Sequence, residues 1–191
     1  MFSPQEVDHL LDGRPITERF PWKEGESQVE NQIRAAVAKI ERRLRLLHRI
    51  EWEHYGSGYA SFVDAWFYRA EPSWRAGFVQ NQLGPQEGDY HGLAVLFSRL
   101  SPYFVMLHGT KYWRDDRSGG GYLPCFGDTD QFRCEEVAKM AEPVQRILEE
   151  FGWVRLFRSE LESPLPPEVE VPTILGDPPF REWDALFHWE D

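Results

Sequence analysis

The chain is expected to fold as one α+β domain, a mainly antiparallel sheet packed with two or three helices. Three observations predict this. Two segments repeat apolar residues at helical spacing. Others alternate, or run continuously apolar, over strand lengths. The two kinds follow one another without the regular alternation that builds a parallel sheet. The 191 residues fit a single domain, and 41% hydrophobic with 15% aromatic residues supply its core.

Residues 1–26 hold Pro4, Pro15 and Pro21 and are expected as an irregular arm with a short helix over Pro4 to Leu11. Residues 27–191 form the domain proper. Ser27 with Glu30 has the spacing of a capping box, in which hydroxyl and carboxylate satisfy free amides of a first helical turn. Val29, Ile33, Ala36, Val37, Ile40, Leu44 and Leu47 follow at helical spacing. The polar side of that helix carries six bases (Arg34, Lys39, Arg42, Arg43, Arg45, Arg49) against the single acid Glu41. Glu51 to Tyr55 alternates polar and aromatic, Gly56-Ser57-Gly58 is a turn signal, and Tyr59 to Arg69 completes a hairpin. Residues 71–89 are expected as a loop. Asp89 is placed to cap a short helix through Leu100, with Leu93, Leu96, Phe97 and Leu100 on one face. Tyr103 to Leu107 has the length of a buried strand.

Residues 109–129 are expected as a long loop around Gly119-Gly120-Gly121. Asp130 is placed as the cap of a second long helix, with Cys134, Val137, Met140, Ala141, Val144, Ile147, Leu148 and Phe151 inward. Pro143 would kink that helix, and Gly152 terminates it. Trp153 to Phe157 predicts a strand. The prolines from Pro164 to Pro179 then make a C-terminal strap, with a last strand over Trp183 to Trp189.

Net charge is −11. Binding to nucleic acid or an anionic membrane needs excess Lys and Arg, so neither partner is expected, the basic helix face notwithstanding. No apolar stretch has the length of a membrane span, and the first residues lack the pattern of a signal peptide. The expected location is therefore the cytoplasm, with Cys125 and Cys134 as free thiols. Ser159 to Asp191 holds nine acids and one base, Arg181, interleaved with apolar residues. That pattern predicts a folded, negatively charged surface rather than a disordered tail.

Chemistry-bearing residues are sparse. His9, His48, His54, His91, His108 and His188 share no short metal-binding spacing, and no Cys-x-x-Cys occurs, so no metal and no cofactor is expected. His108, at a strand end, is either a hydrogen-bonded structural residue or a catalytic group. Cys125 is either a semi-buried thiol or a nucleophile beside His108 or His91. The glycine clusters lack the Gly-Lys-Ser/Thr ending of a phosphate loop. Asp115-Asp116 and Asp128-x-Asp130 have three readings: loop solvation, a divalent cation or acid–base pair, or an interface facing Lys and Arg. The rings of Tyr112, Trp113 and Tyr122 favour the interface over the metal, since interfaces combine aromatics with a polar rim. Asp184 and Glu190 extend that interface into the C-terminal segment.

Taken with the small acidic α+β character, the segments Tyr90 to Val105 and Trp183 to Asp191 resemble immunity proteins encoded beside bacterial polymorphic toxins, including those of type VI secretion. The resemblance carries no catalytic residues. It implies a cytoplasmic inhibitor, monomeric or weakly dimeric, that binds a basic cognate toxin domain and covers its active site. Two other readings remain: a small hydrolase or modifying enzyme using His108 with Asp115, Asp116 or Cys125, and a non-catalytic subunit of a larger assembly.

Overall fold

The computed structural model describes residues 2–56, 58–76, 90–113 and 119–191, with the backbone alone at 112, 113 and 119. In chain order the helices are α1 (Pro4–Leu11), α2 (Glu26–Leu44), α3 (Glu135–Glu149), α4 (Arg158–Leu161) and α5 (Glu182–Leu186). The strands are β1 (Leu47–Glu51), β2 (Tyr59–Ala60), β3 (Phe62–Tyr68), β4 (Tyr90–Ser98), β5 (Tyr103–Trp113), β6 (Gly119–Gly121), β7 (Val154–Arg155) and β8 (Trp189–Glu190). The main sheet has the order β1-β3-β4-β5-β6 and is antiparallel along that path, while β7 joins β5 in parallel at Tyr103 and Phe104. β2 and β8 form a separate antiparallel pair. The architecture is α+β, as expected.

Register sorts the sheet into two faces, because residues directly opposite each other point the same way. One face carries Val63, Ala65 and Phe67, then Phe97, Val95 and Leu93, then Phe104 and Met106. Phe97 meets Trp153, just beyond α3, edge-on at 4.9 Å, and Trp153 meets Trp22 at 5.0 Å. The other face carries Phe62, Asp64 and Trp66 opposite Ser98, Leu96 and Ala94. There Phe62 packs on Phe187 after α5. Gly92 and Gly109 face each other across β4 and β5. A Cβ on Gly92 would lie 2.3 Å from Nε1 of Trp66, and one on Gly109 would lie 2.3 Å from the Tyr122 ring. The two glycines thus make room for two large rings.

Several elements differ from the sequence expectation. Residues 90–98 are the strand β4, not a helix. Almost every position there is buried, so the apolar residues satisfy a helical period without being caused by one. The Gly119 triplet is a strand paired to Lys111–Trp113, not the middle of a loop. Residues 182–186 are helical where a strand was expected, and only Trp189–Glu190 pairs as a strand. The strand expected over 153–157 shortens to Val154–Arg155.

Helix ends shift too. α2 starts at Glu26 after Gly25, whose φ is 97°, and has no side-chain cap. Glu30 is drawn away from a capping role toward Arg99, which donates Nη1 to Oε1 at 2.9 Å. The helix stops at Arg45, with φ 54°, so Leu47 opens β1 rather than closing α2. α3 is capped at Cys134, not Asp130, and runs continuously through Pro143. Cys134 is therefore half-buried at a helix start, not on the inner helix face.

The N-terminal segment is integral to the fold. Ser3 and Glu6 form a reciprocal cap on α1, with Ser3 N donating to Glu6 at 2.8 Å and Glu6 N to Ser3 Oγ at 3.3 Å. Leu10 and Trp22 belong to the main core, and the Ile16 amide donates to the Leu100 carbonyl at 3.0 Å. The C-terminal segment is bolted on by Ser61. Its hydroxyl donates to the Leu186 carbonyl at 3.0 Å and accepts from the His188 amide at 2.9 Å, and its amide donates to the His188 carbonyl at 2.9 Å. No helix among the described residues is long and apolar enough to cross a membrane.

Candidate functional site

Five separate stretches of chain converge on one cleft of about 600 Å3. Leu11 closes α1, and Asp12, Gly13 and Pro15 follow it. Trp22, Gly25 and Glu26 lead into α2. Tyr59 comes from β2 and Glu190 from its partner β8, while Arg99 and Leu100 follow β4. Each local turn has a physical reason. Gly13 and Gly25 take φ of 67° and 97°, values that disfavour any residue with a Cβ. Gly58 has φ 61°, and a Cβ there would fall 1.7 Å from the Glu190 carbonyl oxygen. That close approach lets β8 lie against β2 and fixes where Glu190 projects.

The cleft is anionic at its mouth and apolar in its wall. Three carboxylates, Asp12, Glu26 and Glu190, stand against one guanidinium, Arg99. Arg99 has a side chain only 2% exposed and commits four of its five N–H groups within the fold. It pairs with Glu26 and Glu30 and donates to the carbonyls of Trp52 at 2.9 Å and Phe62 at 3.4 Å. A buried guanidinium is tolerated only with partners of this kind. Asp12 pairs with Arg14 at 2.7 Å in an exposed contact, which screening makes weak. Glu190 has no hydrogen bond or ion pair to its side chain among the described residues. Burial, and then the negative charge of Glu26, push the Tyr59 phenol up to about 12, with Glu190 adding to the rise and Arg99 opposing it. Tyr59 therefore remains a neutral hydroxyl at the cleft.

The other residues expected at an interface are dispersed. Asp115 and Asp116 lie outside the described residues. Tyr112 and Trp113 lie on β5, in register with Gly120 and Gly119. Asp128 accepts from Arg133 at 2.5 Å and from the Cys125 thiol at 3.3 Å. Asp130, with φ 61°, accepts from Arg155 at 2.6 Å and from the Arg158 amide at 2.8 Å. Both are internal ties rather than free docking groups. Asp184 is 7% exposed and accepts the Arg181 amide at 2.7 Å, so it caps α5 instead of facing a partner. Tyr122 is likewise internal: its hydroxyl donates to Asp64 at 2.5 Å. Asp64 has no side-chain exposure and also takes Tyr55 at 3.2 Å and Lys111 at 3.5 Å. Among the described residues singled out from sequence for partner binding, only Glu190 lines the cleft.

His91 and His108 meet at 2.9 Å, Nδ1 to Nε2. Burial, reinforced by His91 and Arg133, lowers the His108 pKa to about 4. Burial, together with the hydrogen bond to Asp128, raises that of Cys125. A neutral imidazole and a held thiol are the reverse of an activated thiolate–imidazolium pair. Among the described residues no group of three His, Cys, Asp or Glu side chains is arranged to hold a metal.

Comparison with protein-family models, with curated proteins and with solved structures finds no match.

Proposed function

We propose that the protein is an immunity protein, acting in the cytoplasm, that binds a cognate bacterial toxin domain and neutralises it by covering the toxin's active site. The observation that carries this reading is the cleft: three carboxylates around an aromatic and aliphatic wall, on a chain of net charge −11. An anionic field of this sign speeds encounter with a basic partner, and buried rings at a docking site slow its release. An inhibitor of this kind works by docking and needs no reaction centre. The test is co-expression with a candidate toxin domain taken from a reading frame adjoining this protein's gene. The expected result is restored growth and a 1:1 complex whose association weakens as salt rises. Undiminished killing in the presence of the folded protein would overturn the reading.

A further inference from the structure

We infer that the cleft is a socket for one arginine side chain of the partner, with Tyr59 as its ring, the buried Trp22 at its base and Glu190 as the acceptor. The occupant rests on the toxin-binding reading above; the socket itself does not. The cleft's 600 Å3 lies within the usual range of ligand pockets and leaves room for the side chain and the backbone that carries it. Its charge selects a cation. An anion would meet Asp12, Glu26 and Glu190 together, while Arg99, its side chain only 2% exposed, directs four of its five N–H groups to Glu26, Glu30 and two carbonyls. Glu190 and the Tyr59 hydroxyl, in contrast, make no hydrogen bonds through their side chains among the described residues, and Tyr59 stays protonated.

The wall selects arginine over lysine. A planar guanidinium stacks on aromatic rings while presenting a fork of donors to a carboxylate, and an ammonium does neither as well. The molecule already uses this arrangement close by: Arg34 lies 3.8 Å over the Trp52 ring while pairing with Glu30 at 3.5 Å. The socket offers an incoming guanidinium the same two contacts, a ring and a carboxylate.

The experiment titrates the isolated, isotopically labelled protein with the α-N-acetylated amides of arginine, lysine and citrulline, the last an isostere of arginine with an uncharged side chain, following the Trp22 indole resonance. The arginine derivative is expected to give a saturable shift, the lysine derivative a weaker one and the citrulline derivative none. Glu190→Gln is expected to weaken binding of the arginine derivative about tenfold, the size of one charge-assisted hydrogen bond, with an unchanged urea midpoint. Equal binding of the citrulline derivative, an unaffected Glu190→Gln variant, or no saturable shift overturns the socket. The growth-protection assay reads separately. Arginine binding by a protein that protects against no toxin upholds the socket and defeats the immunity reading; protection without arginine binding does the reverse.

Discussion

Asp64 and Glu190 are both carboxylates carried on strands, and their surroundings differ in every respect that matters. Asp64 has no exposed side-chain surface and is held by two phenols and an ammonium group. Glu190 sits at the mouth of a cleft with its side chain uncommitted. The same division runs through the acids as a class. Asp130 and Asp184 are bound into turns and helix starts, whereas the carboxylates of the cleft gather at solvent. A strongly acidic chain is thus not uniformly available to a partner, because part of its charge is spent on satisfying its own backbone and bases.

Removing a sealed carboxylate should cost most. Asp64→Ala leaves the buried Tyr122 hydroxyl without its acceptor and is expected to destabilise by about 3 kcal/mol, seen as a lower urea midpoint. A midpoint equal to wild type would show that Asp64 is no keystone of that face. Crowding the same face comes next. Gly109→Ala would place a methyl group 2.3 Å from the Tyr122 ring and is expected to cost roughly 1–3 kcal/mol in the same assay.

The histidine pair should give a smaller, pH-dependent effect. The folded pKa of His108 lies near 4, below the ordinary histidine value, so between those pH values the unfolded chain binds more protons. The stability this provides is full above about pH 6.5 and falls as pH drops toward 4. Denaturation at pH 7 and pH 5.5, where most carboxylates remain ionised, should show the loss in wild type and a flatter dependence in His108→Gln. Parallel profiles would remove His108 as the cause. Smallest of all for the fold is Glu190→Gln, expected to change stability by no more than ~0.5 kcal/mol. A large stability loss there would place Glu190 among the structural acids and blur the division.

What could be read in advance followed from how local each signal is. α2 and α3 declare themselves because one buried stripe recurs over several turns, and α1 because Pro4 stands at a helix start. β4 carries no strand signal because it is buried on both faces, so apolar residues fill five consecutive positions from Leu93 to Phe97 and no period distinguishes strand from helix. The start of α2 was misplaced because Glu30 answers to Arg99, 69 residues away. α5 was missed because its five residues are too few to establish a period. The cleft was largely illegible for the same reason as the Arg99 pair. Its walls come from residues near 12, 25, 59, 99 and 190, and no local pattern announces that they meet. Glu190 stands out in the sequence only by the acidic character of its segment, which the internal Asp184 shares, and the carboxylate pair Asp128-x-Asp130 beside the aromatic loop is internal as well.

The most direct measurement is the affinity of a Glu190→Lys variant for the cognate toxin domain, set beside its thermal midpoint. A cleft that docks a basic partner predicts affinity weakened at least about 100-fold, from lost attraction and added repulsion, with the midpoint unchanged. Wild-type affinity in the folded variant would contradict the account.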